Sequence, residues 1–402
     1  MDPSEGRAVN ILIVKLSAIG DVIHTLPALA ALRQLYPEAD ITWVIEEAAA
    51  DLLAEHPALN RVIVFRRKRW LGDLRRGRIA TPVRELMNFL RELRRRPYDL
   101  VIDFHGLLKS AVVVAASGGR RRLGYDSLQE ISGLFYNEKI PEDMGKHAVD
   151  RYLDFVRYLA EGKEAPHPAL PVAPPRFDIA IGDAERRRVT GLLDRYTGVL
   201  WNGDEDRSGG PGPGGKGASC RFVAVSPVAF WETKLWTDEK FAELCDRIRR
   251  ELEIGVILTG GEADPLNRIQ KMMKTEAVNL GGLTSLRELA CLYRQAALLI
   301  TTDSGPMHLA AAVGTPVVAL FGPTDPARTG PYGPGHRVIQ SGLSCIACLR
   351  KHCETRSCME QITVEEVFTA VQGMLSARGL LREAGTGVKA RRAMEGAKDG
   401  NQ

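Results

Sequence analysis

Short apolar runs alternate with segments of helical spacing along most of the chain. The runs are apolar at consecutive positions and lie at residues 10–15, 41–45, 62–65, 100–103, 222–226, 255–258, 277–280, 298–300 and 316–321. Helical spacing lies between them, at residues 22–35, 82–96, 107–116, 146–162, 183–196, 265–274, 285–297 and 364–377. Continuous apolar strands that alternate with helices are typical of a parallel sheet covered on both faces.

The alternation occurs twice, so the pattern predicts two domains. A chain of 402 residues is too long for one hydrophobic core of ordinary size. The proline-rich stretch at 166–175 is interpreted as the connector between the two domains. We expect an N-terminal domain at 1–175 and a C-terminal domain at 176–382. Residues 203–219 are rich in glycine, proline and charge and predict a mobile insert, and residues 383–402 predict a disordered tail.

The predicted fold class is α/β, with two doubly wound, Rossmann-like domains. Ligands of such domains bind at the carboxyl ends of the parallel strands. Because both domains offer such an edge, we expect the two sheets to face a central cleft.

Positive charge is concentrated in the first half. The net charge is only +4, but arginine and lysine crowd into residues 66–69, 75–78, 94–96 and 120–122. This favours an acidic partner such as nucleic acid, anionic lipid headgroups or a phosphorylated sugar, although solvated helix faces explain any single cluster equally well. The sequence shows no leader and nothing near the roughly 18 apolar residues of a membrane span, so we expect a cytoplasmic protein that touches a membrane surface at most.

The segment 299–324 predicts an anion-binding element. A buried strand ends at Thr302, and a helix of small residues begins directly after Asp303, Ser304 and Gly305. Ser304 or Gly305 can cap this helix, and Pro306 suits its first turn. A bare helix N-terminus at a strand end attracts phosphate, although an ordinary tight turn also fits the pattern.

Asp21 occupies the matching position in the first half, where strand 10–15 leads through residues 17–21 into a helix. One interpretation is structural, because a carboxylate at a helix start caps the first turn. The other is chemical: at the floor of a cleft, Asp21 would be a general base for an incoming hydroxyl.

Two further stretches of the second half could contact a ligand. Lys234 lies between Trp231 and Trp236, where a cation suits a phosphate and an aromatic ring a sugar face, although an exposed lysine in a tryptophan-anchored loop fits as well. Gly261 and Glu262 would let backbone approach a nucleotide and offer a carboxylate to ribose. No GxGxxG follows the first strand and no Walker motif occurs, which argues against an NAD dehydrogenase and an ATPase.

Four cysteines fall within 14 residues, as Cys345, Cys348, Cys353 and Cys358. In a cytoplasmic chain this spacing favours a metal over disulfides, and a structural zinc bound by four thiolates is one interpretation. Reduced cysteines that only pack a loop are the other.

Residues 15–27, 103–110, 303–312 and 321–326 together resemble the bacterial lipopolysaccharide heptosyltransferases of glycosyltransferase family 9, type I more than type II. The resemblance implies a GT-B fold and an inverting transfer of L-glycero-D-manno-heptose from ADP-heptose to a Kdo–lipid A core acceptor at the cytoplasmic face of the inner membrane. It implies peripheral membrane contact, no nucleic-acid partner and no cofactor required for catalysis, because the helix N-terminus and Lys234 would stabilise the leaving diphosphate.

The resemblance also assigns roles to residues. Asp21 falls where the family keeps its catalytic base. The expected donor-binding residues are Lys234, Thr302, Asp303, Ser304, Gly305, His308, Gly261 and Glu262. The expected acceptor-binding residues are Ser17, Gly20, His105, Arg66, Arg67, Arg69 and Arg120.

Two other functions stay open from the sequence. One is a transferase of the same family with another heptosyl acceptor, as in type II, or with another nucleotide sugar. The other is a non-catalytic protein that binds a polyanion or a nucleotide sugar.

Overall fold

A computed structural model describes residues 8–126, 129–162, 174–196 and 222–381. The predicted insert at 203–219 and tail at 383–402 lie outside the described residues, as does most of the connector at 166–175. The exact domain boundary therefore stays a prediction.

The first half forms a six-stranded parallel sheet. Its strands are β1 (Asn10–Val14), β2 (Asp40–Glu46), β3 (Arg61–Phe65), β4 (Leu100–Asp103), β5 (Arg121–Tyr125) and β6 (Glu138–Ile140). The order is β3-β2-β1-β4-β5-β6, and every pair of neighbours is parallel. Central β1 is buried on both faces, which explains its continuous apolar run.

Helices cover both faces of this sheet. They are α1 (Ile19–Leu35), α2 (Arg67–Arg75), α3 (Ala80–Leu93), α4 (Leu108–Ser117) and α5 (Ala148–Glu161), with 3₁₀ segments at Glu47–Leu53 and Gln129–Phe135. Helices α1 and α5 pack with Ile11 and Ile13 of β1. Helices α2, α3 and α4 pack on the opposite face, with Leu12 and Val14.

The second half repeats this plan. Its strands are β7 (Phe222–Ser226), β8 (Gly255–Leu258), β9 (Val278–Asn279), β10 (Leu299–Thr302), β11 (Val317–Phe321) and β12 (Arg337–Gln340), in the parallel order β12-β11-β10-β7-β8-β9. Its helices are α6 (Asp183–Arg195), α7 (Asp238–Glu251), α8 (Asp264–Met272), α9 (Leu286–Gln295), α10 (Gly305–Ala312), α11 (Pro326–Thr329), α12 (Ser357–Glu360) and α13 (Val364–Ala377), and a 3₁₀ turn covers Glu232–Lys234. The prediction of two parallel α/β sheets is confirmed.

Some elements differ from the sequence expectation. The basic stretch after β3 is not among the segments of helical spacing, but it forms helix α2, whose one buried residue, Trp70, anchors it to the sheet. Strands β5, β6 and β12 carry charged residues, and each includes positions that are not fully buried. They therefore lack a continuous apolar run. Within the described residues, no helix is both long and apolar enough to cross a bilayer.

Candidate functional site

Asp21 lies in the first turn of α1, just beyond the carboxyl end of β1. Its carboxylate accepts a hydrogen bond from the Ala18 N–H at 3.2 Å, so the expected capping role is present. No other hydrogen bond of this carboxylate is seen among the described residues. The side chain is partly exposed, and a partly exposed carboxylate with one weak partner remains available to a substrate.

The start of α10 lies opposite, beyond the carboxyl end of β10. Ser304 is its N-cap residue, but the Ser304 hydroxyl makes no capping hydrogen bond, and Pro306 lies in the first turn as predicted. No side chain therefore caps the start of α10, although the Met307 N–H donates to the Ser304 carbonyl at 3.1 Å, and the helix dipole favours an anion there. This geometry is what the predicted anion site requires.

The two helix starts contact each other directly. A Cβ added at Gly20 would lie 2.3 Å from Cδ2 of His308, and a Cβ added at Gly305 would lie 3.2 Å from Cγ2 of Ile19. Each half thus uses a glycine to admit a side chain from the other. The contact that the structure shows for Gly20 is this packing against His308, beside Asp21. The expectation that the two strand–turn–helix elements face each other is confirmed.

Asp303 and Lys234 form an ion pair. Lys234 Nζ lies 2.6 Å from Asp303 Oδ2, and the Thr324 hydroxyl donates to the same oxygen at 2.6 Å. The ammonium also lies 4.5 Å from the centre of the Trp231 ring. Asp303 thus orients the lysine through one of its two carboxylate oxygens.

Thr302 and Ser304 complete the turn. The Thr302 hydroxyl donates to the Val228 carbonyl at 3.3 Å, and the Ser304 hydroxyl lies 3.3 Å from that of Thr301. The first bond ties the turn to the segment that follows β7, and the second lies within the turn.

Gly261 and Glu262 line a pocket of about 360 Å³ at the carboxyl end of β8. Pro227, Val228 and Leu235 form part of its wall. It has the mixed apolar and polar lining of a small-molecule site. The sequence missed the neighbouring Gly281, at which a Cβ would lie 2.6 Å from the Glu262 carbonyl oxygen. A larger pocket of about 440 Å³ borders the far end of α10, away from the predicted site residues.

Three histidines meet where the two halves touch. His24 Nε2 lies 2.9 Å from His308 Nδ1, the His24 and His147 rings are 5.1 Å apart, and His147 Nε2 lies 3.1 Å from the Gly330 carbonyl oxygen. Burial lowers the pKa of His308 to about 4 and that of His24 well below its usual value. Both rings are therefore neutral near pH 7. The sequence pointed to His308 but missed His24 and His147.

Burial indicates which of the two rings carries the proton that lies between His24 and His308. His24 Nδ1 is buried and has no hydrogen-bond partner among the described residues. A buried N–H without a partner is rarer than a buried acceptor without one. The proton between the rings therefore belongs to His24 Nε2, which leaves His308 protonated on Nε2, the nitrogen beside Gly20.

Ser17 belongs to a polar cluster that the sequence missed. Lys109 Nζ donates to Ser17 Oγ at 2.8 Å and lies 3.4 Å from Oε1 of the buried Glu46. His105 lies nearby with both ring nitrogens buried, and burial next to Lys15 and Lys109 lowers its pKa to about 2. A neutral histidine and a lysine thus lie beside Ser17, in the turn that leads to Asp21.

Lys15 is a buried amine that the sequence did not single out. Its Nζ donates to the Phe104 carbonyl at 2.9 Å and to the Tyr152 hydroxyl at 2.6 Å. Burial lowers its pKa, and the nearby Asp21 opposes that shift. Lys15 therefore places a buried amine close to the Asp21 carboxylate.

The predicted acceptor arginines separate into two groups. Arg66, Arg67 and Arg69 follow β3, at the same carboxyl edge as Asp21, and pair with Glu47, Glu46 and Glu85 respectively. Arg120 precedes β5, and its N–H bonds to the Tyr98 carbonyl at 3.2 Å, at the opposite edge of the sheet. Its position does not support a contact in the cleft. The sequence could not show this, because a cluster of charges does not indicate the edge of the sheet at which it lies.

The four clustered cysteines lie in the loop before α12 and in α12 itself. Cys345, Cys348 and Cys353 are exposed, and Cys358 is buried. Within the described ranges, no three histidine, cysteine or acidic side chains are arranged to hold a metal ion. Burial and the neighbouring Cys345 and Cys348 raise the pKa of the Cys358 thiol, so three of the four cysteines lie near one another. The zinc interpretation stays a prediction. The loop packs beside Lys234, where the hydroxyl of the neighbouring Thr233 donates to the Arg350 carbonyl at 2.8 Å.

Known sequences resemble this chain over most of its length. The sequence model of glycosyltransferase family 9 (heptosyltransferase) matches residues 86–359. Lipopolysaccharide heptosyltransferase 1 of Pseudomonas aeruginosa is 30% identical over 398 residues, which cover 93% of this chain and 100% of that protein. Lipopolysaccharide heptosyltransferase 1 of Escherichia coli K12 is 29% identical over 339 residues, covering 83% and 94% respectively.

Solved structures confirm the GT-B fold. The structure described as E. coli heptosyltransferase WaaC with ADP has a TM-score of 0.68 at 24% identity and covers 91% of this chain and 100% of its own. E. coli ADP-heptose lipopolysaccharide heptosyltransferase II has a TM-score of 0.69 at 22% identity and covers 92% and 100%.

Proposed function

Because the chain belongs to glycosyltransferase family 9, the heptosyltransferases, we propose that it transfers L-glycero-D-manno-heptose from ADP-heptose to the Kdo–lipid A inner core of lipopolysaccharide, with inversion. The observation that carries the proposal is the contact between the starts of α1 and α10. The first bears the accessible Asp21 carboxylate, and the second lies beside Lys234, which Asp303 holds in place. The chain is a glycosyltransferase of lipopolysaccharide core biosynthesis, and its site has the two functions that inversion needs.

The reaction is a single displacement. An acceptor hydroxyl attacks the anomeric carbon, and Asp21 takes the hydroxyl proton as the new carbon–oxygen bond forms. The bond from the anomeric carbon to the diphosphate breaks, and ADP leaves with the electron pair. Attack from the side opposite to ADP inverts the configuration, which suits a base on one domain and a leaving-group site on the other.

The second domain stabilises the charge that develops on ADP. Lys234 offers a cation, the N-terminus of α10 offers backbone N–H groups, and His308 offers a neutral N–H donor. Asp303 is a positioning residue, because its carboxylate fixes the lysine rather than the ligand. The pocket beside Gly261 and Glu262 suits the adenosine.

The first domain recognises an anionic acceptor. Arg66, Arg67 and Arg69 lie at its carboxyl edge together with Ser17 and Lys109. Guanidinium groups suit the carboxylates of Kdo and the phosphates of lipid A. Arg120 is left out of the proposed acceptor set because of its place at the far edge.

A product assay tests the proposal. Purified protein is incubated with Kdo–lipid A and ADP-heptose, UDP-sugars or GDP-sugars, and products are detected by mass spectrometry. We expect a product with one added heptose when ADP-heptose is the donor and no product with the other nucleotide sugars. Transfer from another nucleotide, or heptose addition only to an already heptosylated core, would replace the proposed donor or acceptor.

We also propose that catalysis needs no added divalent metal, since Lys234 and the start of α10 supply the charge stabilisation. Transfer rates with and without EDTA should then agree. A rate that collapses with EDTA and returns with Mg²⁺ would contradict this part of the mechanism.

A further inference from the structure

Exposed apolar side chains are concentrated on one layer of the first domain. The described residues expose sixteen large apolar side chains, and ten of them lie on α2, α3, α4 and the 3₁₀ segment Gln129–Phe135 or at the start of α3. The ten are Leu71, Leu74, Ile79, Val83, Leu86, Met87, Leu108, Val112, Ile131 and Leu134. Each of these elements packs against the next, so the side chains share one surface. A grouped apolar surface marks an interaction site, whereas single exposed residues do not.

The exposure does not come from loosely packed helices. Trp70 of α2 and Phe89 and Leu93 of α3 are buried against the sheet. The same helices also carry Leu74, which is 45% exposed, and Met87, which is 53% exposed. These helices therefore hold apolar residues in the core and expose further apolar residues on the surface.

The same surface is strongly basic. Residues 66–96 contain twelve arginines and lysines and three acidic residues, a net charge of +9 in a chain whose total is +4. Lys68, Arg75, Arg76 and Arg84 are exposed and form no ion pair in the described part of the chain. A second copy of this surface would be repelled, so the charge calls for an anionic partner.

We propose that this surface, formed by α2, α3, α4 and the segment Gln129–Phe135, docks on an anionic lipid bilayer. Its apolar side chains enter the boundary between headgroups and acyl chains, and its arginines contact the headgroup phosphates. This surface begins beside Arg66 and His105, at the edge of the sheet that the proposed function assigns to the acceptor. Docking of this surface would bring the cleft close to a lipid-anchored acceptor, and this role of the docking rests on the proposed function.

Vesicle binding tests the surface without donor or acceptor. Full-length protein is sedimented with vesicles of phosphatidylcholine alone or of phosphatidylcholine and phosphatidylglycerol, at low and high salt. We expect binding to the anionic vesicles that weakens with salt. Equal binding to both compositions, no vesicle binding, or recovery of a protein partner on this surface instead would overturn the proposal.

Two variants separate charge from apolar insertion. In Arg75→Glu/Arg76→Glu, each lost cation should weaken binding about fivefold, with a further loss from the new negative charges. Leu74→Ser/Ile79→Ser/Val83→Ser should weaken binding by about tenfold or more at every salt concentration, because apolar area no longer enters the bilayer. Wild-type affinity in both variants would contradict the assignment.

Matched controls come from the second domain. Phe230→Ser removes a side chain that is 99% exposed, and Arg186→Glu/Arg187→Glu reverses two exposed charges on α6. Both should bind vesicles like the wild type. Thermal melting confirms that each variant folds, and the α2–α3 variants should keep their rate on an acceptor dispersed in detergent. Equal losses in the control variants would show a general charge or apolar effect and overturn the proposal.

Discussion

Asp21 and Asp303 occupy matching places in the two domains, each where a central parallel strand leads into a helix. Asp21 is partly exposed, and among the described residues its carboxylate accepts only the Ala18 N–H. Asp303 is buried, and one of its oxygens contacts both Lys234 and Thr324 at 2.6 Å. The same local motif thus leaves the Asp21 carboxylate partly exposed and buries the Asp303 carboxylate in an ion pair.

The comparison shows that local structure places a carboxylate but neighbours decide its chemistry. A base must be free to take a proton from a substrate. A carboxylate that already holds a lysine serves better to orient that lysine. In the proposed mechanism, the same strand–turn–helix motif supplies a base for the attacking hydroxyl in one domain and a carboxylate that positions the leaving-group lysine in the other.

Asp21→Asn should break this comparison with the largest effect. The amide still accepts the Ala18 N–H, so the free energy of unfolding should change by no more than about 0.5 kcal/mol. The turnover rate should fall by roughly 10²–10⁴-fold, because the amide cannot take a proton. Steady-state assays and thermal melting measure both quantities. Full activity would remove Asp21 from the mechanism.

Lys234→Ala should remove the other half of the pair. Loss of a donor to a developing anion typically costs about 10²–10³-fold in rate. It also leaves the Asp303 carboxylate without its cation, so donor affinity should fall as well. Lys234→Arg is the control, and it should recover part of the rate since it keeps the charge. A variant with a normal rate would show that the lysine does not face the leaving group.

Gly20→Ala and Gly305→Ala should sharpen the comparison at the contact of the two helices. The first places a methyl group 2.3 Å from His308 and the second 3.2 Å from Ile19. Overpacking of the first kind costs about 1–3 kcal/mol of unfolding free energy, and the second should cost less because Ile19 can shift slightly. Urea unfolding of both variants gives the ranking, and the reverse order would contradict the contact.

The histidine contact should give the smallest effect, a loss of stability at acid pH. The pKa of His308 is lowered to about 4 in the folded protein, so the unfolded chain binds more protons below pH 6.5. Stability is therefore complete above that pH and falls as the pH drops toward 4, by about 1 kcal/mol for this residue between pH 6.5 and 5.5. Urea unfolding at these two pH values measures the fall. In His308→Gln it should be smaller, and an unchanged slope would contradict the assignment.

The fold followed from the sequence because buried parallel strands leave continuous apolar runs. Asp21, Asp303 and Lys234 could be singled out because strand ends and glycine turns mark the edge where ligands bind. Helix α2 could not, since its one buried residue, Trp70, gives no periodic pattern. The pairing of Lys109 with Ser17 joins residues 92 positions apart and that of His24 with His308 joins residues 284 apart, which only the folded chain shows.

The central claim is that Asp21 and Asp303 serve opposite ends of the same reaction. Titration calorimetry of ADP with Asp21→Asn and Asp303→Asn tests this most directly, because ADP binds without any proton transfer. Asp21→Asn should bind ADP like the wild type, whereas Asp303→Asn should bind it about tenfold or more weakly, since a misplaced lysine loses a charge-assisted contact. Weakened binding in Asp21→Asn together with normal binding in Asp303→Asn would contradict the account.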